Sequence, residues 1–201
     1  MYIPSHFRNE NQDELLAFMK AHPFAVFCCN GEKIPFVTHL PFVVSEENEK
    51  TILASHFAAV NPHSKFLKEG DDALVIFNGP DAYISPSLYD KKENVPTWNY
   101  IAVHASGKYR LTNSNEQKEK VLLAMIENFE PAYRKQWEGL SPDYISGMLK
   151  GIVAFEIRVE KLEGKFKLSQ NKTKNEQEKI ANSLSQTELA SMMKKNSSAH
   201  T

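Results

Sequence analysis

The sequence is poor in the residues on which common nucleotide-binding loops and disulfide-stabilised folds depend. It has eight glycines among 201 residues and no glycine-rich strand-to-helix fingerprint, Walker loop, Gly-x-Ser-x-Gly or His-Glu-x-x-His motif. Side chains, rather than the backbone amides of a glycine-rich loop, would therefore have to hold any phosphate. The two cysteines are the adjacent Cys28 and Cys29. Because neighbouring strand residues point to opposite faces, we expect two free thiols.

The chain also lacks an excess of charge of either sign and any long hydrophobic run. Lys and Arg total 24 against 25 Asp and Glu, so no global field attracts phosphate polymers or acidic membranes. The longest purely apolar run, residues 24–29, is far shorter than the roughly twenty residues of a membrane-spanning helix. Residues 1–7 lack the features of a secretion signal. We therefore expect a soluble, cytoplasmic protein.

Seven histidines raise the question of a metal site. They form no His-x-His, His-x-x-x-His or carboxylate-spaced set, so we predict no metal. Hydrogen bonding is the favoured role for His39 and His56. A nucleophile and base made of Cys28 or Cys29 with a histidine stays open, because nothing in the sequence places such a pair together.

Hydrophobic periodicity and turn residues outline the secondary structure. Short β-branched or aromatic runs predict strands at residues 24–29, 34–38, 40–44, 51–56, 73–77, 82–85, 98–111 and 152–159. The tripeptide Asn78-Gly79-Pro80 predicts a turn after the fifth of these. Short helices are predicted at 62–68, 133–138 and 143–149. Longer helices are predicted after four capping patterns: Asn11 with Glu14, Ser114 with Gln117, Thr173 with Glu176, and Ser185 with Glu188.

The order of these elements favours one fold class. Strands dominate the first half and return after a helical segment, without the regular strand-helix alternation of a doubly wound sheet. We predict a mainly β fold, an antiparallel barrel with peripheral helices. It forms a single domain over residues 1–201, with a helical insertion at 112–150 and a helical C-terminal tail at 172–201 whose last residues, 197–201, fray.

The segment 164–171 carries the strongest candidate for phosphate binding. In an extended chain its two lysines and its serine share one face, opposite a phenylalanine and a leucine. Two ammonium groups and a hydroxyl can hold a phosphate, and the following amides suit a polyol or a heterocyclic ring. Spacing alone favours an ordinary half-buried strand with lysines in water. The candidate residues are Lys165, Lys167, Ser169, Gln170 and Asn171.

A second candidate is the aromatic stretch that follows Pro96. Trp98 and Tyr100 share one face of the predicted strand and could form a platform for a planar ring. Packing in the core or at a dimer interface is the alternative, and it is favoured from the residues alone.

Six motifs in order carry a resemblance to a known family. They are Met1-Tyr2-Ile3-Pro4 with Phe7, Thr38-His39-Leu40-Pro41, Ser55-His56-Phe57-Ala58 leading to Asn61-Pro62, Gly79-Pro80 with Ala82-Tyr83-Ile84-Ser85-Pro86, Val95-Pro96-Thr97-Trp98-Asn99-Tyr100, and Gly164-Lys165-Phe166-Lys167-Leu168-Ser169-Gln170-Asn171. Together they resemble the PaiB-like family of FMN-binding negative transcriptional regulators, which is similar to the pyridoxamine-phosphate-oxidase-like split β-barrels.

The resemblance implies a fold, a cofactor and a site. The fold is an FMN-binding split β-barrel of six strands, and it forms a homodimer with two FMN sites between its subunits. FMN contact is implied for Lys165, Lys167, Ser169, Gln170 and Asn171. Positions near the phosphate are implied for His39, His56 and Asn61. A place near the flavin ring, or a contribution from the partner subunit, is implied for Trp98, Asn99 and Tyr100.

The implied function is negative regulation of protease production and sporulation genes. DNA is a candidate partner, but the sequence has no recognisable DNA-binding motif, so direct and indirect repression both stay open. The alternative is an FMN-dependent oxidoreductase acting on a small molecule. Because the flavin performs the redox step, no catalytic residue is assigned. A third alternative, haem ligation by His104 or His56, requires a large apolar slot that the sequence does not locate.

Overall fold

The computed structural model describes residues 1–112 and 114–198. Within them lie eight strands: β1 (Arg8–Asn9), β2 (Phe24–Cys29), β3 (Phe36–Pro41), β4 (Val43–Glu47), β5 (Lys50–Ala58), β6 (Asp72–Ile84), β7 (Thr97–Thr112) and β8 (Ile152–Lys167). The α-helices are α1 (Gln12–Ala21), α2 (His63–Phe66), α3 (Asn115–Phe129), α4 (Arg134–Glu138), α5 (Pro142–Lys150), α6 (Lys174–Ser183) and α7 (Glu188–Ser198). Short 3-10 helices cover Ser5–Phe7, Pro86–Leu88 and Pro131–Tyr133. Fraying is predicted for residues 197–201. Residues 197 and 198 end α7, and residues 199–201 lie outside the described residues.

The fold is mainly β, as predicted. The strand order in the sheet is β3-β2-β6-β7-β8-β5-β4, and β1 pairs with β8. The pairings of β1 with β8, of β2 with β3 and β6, and of β5 with β4 and β8 are antiparallel. The described residues form eight strands where the resemblance implies six. Only Phe42 separates β3 from β4, and β1 has two residues, so six long strands remain when β3 and β4 count as one.

The chain divides into two compact units. The first unit comprises Met1–Leu15, Asn78–Val103 and Glu163–Thr201, and the second comprises Leu16–Phe77 and His104–Leu162. Strands β6, β7 and β8 each contribute residues to both units. No helix in residues 1–112 and 114–198 is long and apolar enough to cross a membrane.

Aromatic rings form the core of the second unit. The centroid of the Phe155 ring lies 4.8 Å from that of Phe27, 5.3 Å from that of Phe57 and 5.4 Å from that of Tyr109. All four side chains are buried, and burial stabilises the fold by roughly 1.5–3 kcal/mol for each large apolar side chain. The other face of β5 and β8 is covered by α3, which packs Val121 and Met125 against small alanines.

The predicted capping patterns are confirmed at two of the later helices. Ser114 caps α3 and Thr173 caps α6, each with a full capping box. Asn11 also caps α1, because its Oδ1 accepts the Glu14 N–H at 3.2 Å. The pattern at Ser185 is wrong: the Ala190 N–H donates to Thr187 Oγ1 at 3.2 Å. Thr187 lies immediately before α7, and its hydroxyl caps this helix in place of that of Ser185.

The predicted turn at Asn78-Gly79-Pro80 is also wrong. Strand β6 continues without interruption from Asp72 to Ile84. The register of β2 pairs it only with residues 74–76 of β6. Pro80 lies beyond this paired stretch, so its lack of an N–H removes no hydrogen bond to β2. Proline is tolerated at strand positions of this kind. Residues 78–84 therefore run beside β7 rather than reversing direction.

Candidate functional site

Two lysines project from the end of β8 in the first unit. Lys165 Nζ donates to the Tyr2 carbonyl oxygen at 3.3 Å and lies 5.2 Å from the centroid of the Tyr100 ring. Lys167 Nζ donates to Thr97 Oγ1 at 2.6 Å and to the Trp98 carbonyl oxygen. Neutral groups therefore orient both ammonium groups. In the part of the chain that the structure describes, neither forms an ion pair with a carboxylate.

The electrostatics of these lysines extend to a third. Burial lowers the pKa of Lys167, and the positive charges of Lys165 and Lys172 lower it further. Lys172 Nζ donates to Asn94 Oδ1 at 2.7 Å and lies 4.0 Å from the centroid of the Tyr89 ring. The charges of Lys165 and Lys172 thus act on Lys167, and none of the three ammonium groups is paired with a carboxylate among the described residues. Such an arrangement binds anions, and a phosphate dianion best.

Sequence reasoning missed Lys172 as part of this site. Lys172 follows the candidate segment 164–171 directly and begins the tail at 172–201, where several glutamates lie among the lysines. The available signal was its position directly after Asn171. The chain turns after Lys167, and the positive charge of Lys172 contributes to the lowered pKa of Lys167.

That turn contradicts the interpretation of residues 164–171 as one extended chain. Strand β8 ends at Lys167, and Ser169 has a positive φ of 66°. Ser169 is 4% exposed, and its Oγ accepts a hydrogen bond from Asn99 Nδ2 at 2.8 Å and donates to Asn99 Oδ1 at 3.1 Å. Gln170 Oε1 accepts the Leu168 N–H at 2.8 Å. The Ser169 hydroxyl therefore does not share the face of the lysines; Ser169, Gln170 and Asn99 hold the turn, whereas Asn171 is exposed.

The predicted aromatic face is present in β7. Trp98 is 52% exposed and Tyr100 half-buried, whereas Asn99 between them is fully buried. The Tyr83 ring meets the Trp98 ring edge-on, with centroids 6.0 Å apart. Trp98 and Tyr100 line a cavity of about 310 Å³ whose other walls are Asn78, Gly79, Asp81 and Ile101. This combination accommodates a planar ring.

The remaining predicted site residues belong to the second unit. His39 is exposed on β3, with its ring stacked 6.3 Å from that of Phe24. His56 Nδ1 lies 3.2 Å from the Met125 sulfur, and burial lowers the pKa of this imidazole. Asn61 Oδ1 accepts the backbone N–H of His63 at 3.0 Å. His56 and Asn61 thus make contacts with protein groups of their own unit.

The structure also brings together a cysteine and a histidine that the sequence could not pair. Cys29 Sγ lies 3.2 Å from His63 Nδ1, and both side chains are buried. Burial lowers the pKa of His63 to about 4 and raises that of Cys29 to about 11. Both groups are therefore neutral at pH 7, and the thiol has none of the character of an activated nucleophile. Both cysteines are free thiols, as predicted.

The described residues thus combine a cation cluster with an adjacent aromatic platform. Within the same residues, no group of three or more His, Cys, Asp or Glu side chains could hold a metal ion. The lysines suit a phosphate and the platform suits a ring. The donor set in the first unit therefore fits a phosphorylated aromatic ligand such as FMN.

Comparisons with known proteins point to the same kind of ligand. The family model described as "Putative FMN-binding domain" matches residues 1–161, ending just before the lysine segment. A relative from Bacillus subtilis, "Protease synthase and sporulation protein PAI 2", is 38% identical over 178 residues, which are 88% of this chain and 85% of that protein.

Solved structures are similar in fold. A flavocytochrome from Azotobacter vinelandii has a TM-score of 0.62 at 18% identity, covering 82% of this chain and 72% of its own. An FAD and heme binding protein from Mycobacterium smegmatis has a TM-score of 0.62 at 14% identity, covering 80% and 73%. The fold of this chain is thus that of flavin-binding split-barrel proteins. From the match over residues 1–161 and the identity along most of its length, the chain belongs to the FMN-binding domain family, together with the Bacillus subtilis protein.

Proposed function

We propose that this protein binds FMN, with the phosphate held by Lys165, Lys167 and Lys172 and the ring packed against Trp98 and Tyr100. The observation that carries the proposal is the cluster of three ammonium groups to which no carboxylate is paired within the described residues. Burial lowers the pKa of Lys167, and repulsion from the positive charges of Lys165 and Lys172 lowers it further. A phosphate with nearly two negative charges removes that repulsion.

The expected energy is large enough to measure. Each charge-assisted hydrogen bond contributes on the order of 1.5–3 kcal/mol, which corresponds to roughly a ten- to hundredfold change in the dissociation constant. Ser169, Gln170 and Asn99 support the proposal as positioning residues, because they set the turn between Lys167 and Lys172. FMN contact for Asn171, His39, His56 and Asn61 stays a prediction of the family resemblance.

The test is a titration of the purified protein with FMN and with riboflavin, which has the same ring and no phosphate. Visible absorbance and quenching of flavin fluorescence report binding. We expect FMN to bind at least tenfold more tightly than riboflavin, with a preference that Lys167→Met reduces and the exposed-lysine control Lys92→Met leaves intact. Equal affinities for the two flavins, or no flavin binding at all, would overturn the proposal.

We propose further that the protein is a negative transcriptional regulator of protease production and sporulation genes. This role is supported by the likeness to the Bacillus subtilis protein and by that protein's name. Direct repression predicts a mobility shift of promoter DNA by the purified protein, with and without FMN. A deletion strain whose protease and sporulation transcripts are unchanged would refute the regulatory role. Changed transcripts without a mobility shift would indicate indirect repression.

A homodimer is part of the same proposal. The outward face of β2 and β3 is mostly apolar: Phe24 is 64% exposed and Val37 46% exposed. Val37 pairs with Cys28 in register, and Val26 pairs with the exposed His39 on the same face. Exposed faces that are largely apolar favour a symmetric partner. Sedimentation should give a dimer for the wild type and a monomer for Val37→Lys; a monomeric wild type would contradict the proposal.

An FMN-dependent oxidoreductase is the second candidate. The observation that favours it is the open aromatic platform, since Trp98 is half exposed and, among the described residues, none that lines the cavity comes from α6 or α7. A ring bound there keeps one side within reach of a small molecule. Reduction of the bound flavin by a nicotinamide donor, followed by reoxidation on adding a small-molecule acceptor, would support this role. Bound flavin that no donor reduces would exclude it.

A further inference from the structure

The cavity beside the aromatic platform has a polar wall. Asn78 and Asp81 line it, and both are exposed. The uninterrupted β6 places them there, because this strand passes through Asn78-Gly79-Pro80 and runs on beside β7. Among the described residues the Asp81 carboxylate forms no hydrogen bond or ion pair. It is therefore available to a ligand.

A cation, an aromatic ring and a carboxylate follow one another across three neighbouring strands. Lys165 lies on β8, Tyr100 on β7 and Asp81 on β6, and these strands are consecutive in the sheet. Neighbouring strands are about 4.8 Å apart, so the outer two backbones are roughly 10 Å apart. The cationic end is at Lys165, the aromatic surface in the middle and the anionic end at Asp81. A ligand with a phosphate at one end and a ring at the other matches this order.

The anionic end restricts what the ring can be. An ionised carboxylate only accepts hydrogen bonds, whereas the Asn78 amide both donates and accepts. The ring edge farthest from the phosphate must then carry an N–H donor, and a carbonyl beside it can accept from Asn78. An imide, in which two carbonyls flank one N–H, has this pattern. The reversed orientation brings phosphate toward Asp81, where like charges repel.

We propose that Asp81 and Asn78 recognise the imide edge of the flavin ring, with the Asp81 carboxylate accepting the imide N–H and the Asn78 amide donating to a flanking carbonyl. This inference rests on the proposed FMN site. It assigns ring specificity and orientation to β6, while the lysines contribute phosphate affinity. Phosphorylated aromatic compounds without an N–H on this edge bind more weakly than FMN.

The test compares FMN with FMN methylated on the imide nitrogen, in the wild type and in Asp81→Ala. A hydrogen bond to a charged group makes the wild type prefer FMN by roughly tenfold or more. In Asp81→Ala the two ligands bind equally. The variant Glu93→Ala, which removes another exposed carboxylate of the first unit, keeps the wild-type ratio.

The outcomes separate the two proposals. A wild type that binds no FMN overturns both the flavin proposal and this inference. A wild type that binds FMN but has the same ligand ratio as Asp81→Ala overturns the role of Asp81 alone. Because the ratio compares two ligands on one protein, partial unfolding of a variant lowers both affinities and leaves the ratio unchanged.

Discussion

Replacing the buried His63 should change how stability depends on pH. Its side chain is fully buried, with ring centroids 4.6 Å from those of both Phe27 and Phe36. Nδ1 faces the Cys29 thiol at 3.2 Å, and Nε2 has no hydrogen-bond partner among the described residues. This environment offers nothing to stabilise an imidazolium, so burial lowers the pKa from 6.5 to about 4.

The direction and size of the effect follow from proton linkage. Between pH 6.5 and pH 4 the unfolded chain takes up a proton on His63 that the native protein does not bind. The stability contributed by the neutral imidazole is therefore complete above pH 6.5 and is lost as the pH falls toward 4. The loss relative to neutral pH is about 2 kcal/mol near pH 5 and approaches roughly 3 kcal/mol below pH 4.

The variant His63→Phe keeps an aromatic ring in the aromatic pocket and removes the titration. Urea unfolding near pH 7.5 and near pH 5 measures the pH-dependent loss of stability, which should be smaller in His63→Phe by about 2 kcal/mol. The difference between the two proteins isolates His63 from His56, whose pKa burial also lowers. The exposed-histidine control, His39→Gln, should behave as the wild type. A His63→Phe protein with the full wild-type pH dependence would refute this reasoning.

Three further predictions concern stability. A Cβ at Gly107 would lie 2.0 Å from a backbone oxygen of β8, so Gly107→Ala should lower the free energy of unfolding in urea by about 2 kcal/mol or more. The control Gly147→Ala lies inside α5, where the added Cβ meets no atom, and should raise that free energy by about 0.5–1 kcal/mol. Glu176→Ala removes a buried carboxylate that accepts the Asp90 N–H at 3.0 Å; hydrogen exchange at that amide should accelerate about tenfold or more, and unchanged exchange would count against the contact. Lys118→Met removes a donor shared by the carbonyls of Leu149 in α5 and Ile152 at the start of β8, each at 2.9 Å, and should lower the free energy of unfolding by about 1–2 kcal/mol; a loss below the error of chemical unfolding would contradict it.

Elements whose signals are local were predictable from the sequence. The capping boxes that begin α3 and α6 depend on side chains three residues apart, and the apolar run that forms β2 is visible in the printed letters. Local signals failed where a distant partner decides. The turn residues Asn78-Gly79-Pro80 lie inside a strand because the neighbouring strand β7, rather than residues adjacent in sequence, determines the course of β6 there.

The candidate site divides in the same way. Alternation was enough to place Trp98 with Tyr100 and Lys165 with Lys167, since each pair is two residues apart in a strand. It could not show that Ser169 turns inward to Asn99, seventy positions away, or that Lys172 completes the cation cluster.

The family, the mainly β fold and the residue types that can bind a phosphate and a ring were therefore predictable from the amino-acid order alone. Capping, alternation and ordered motifs act over a few residues and can be identified without a structure. The three-dimensional packing was needed to show that Lys172 acts on Lys167, that Asp81 lines the aromatic cavity and that Cys29 contacts His63. Those contacts depend on strand order, register and burial, which follow from the packing of the whole chain.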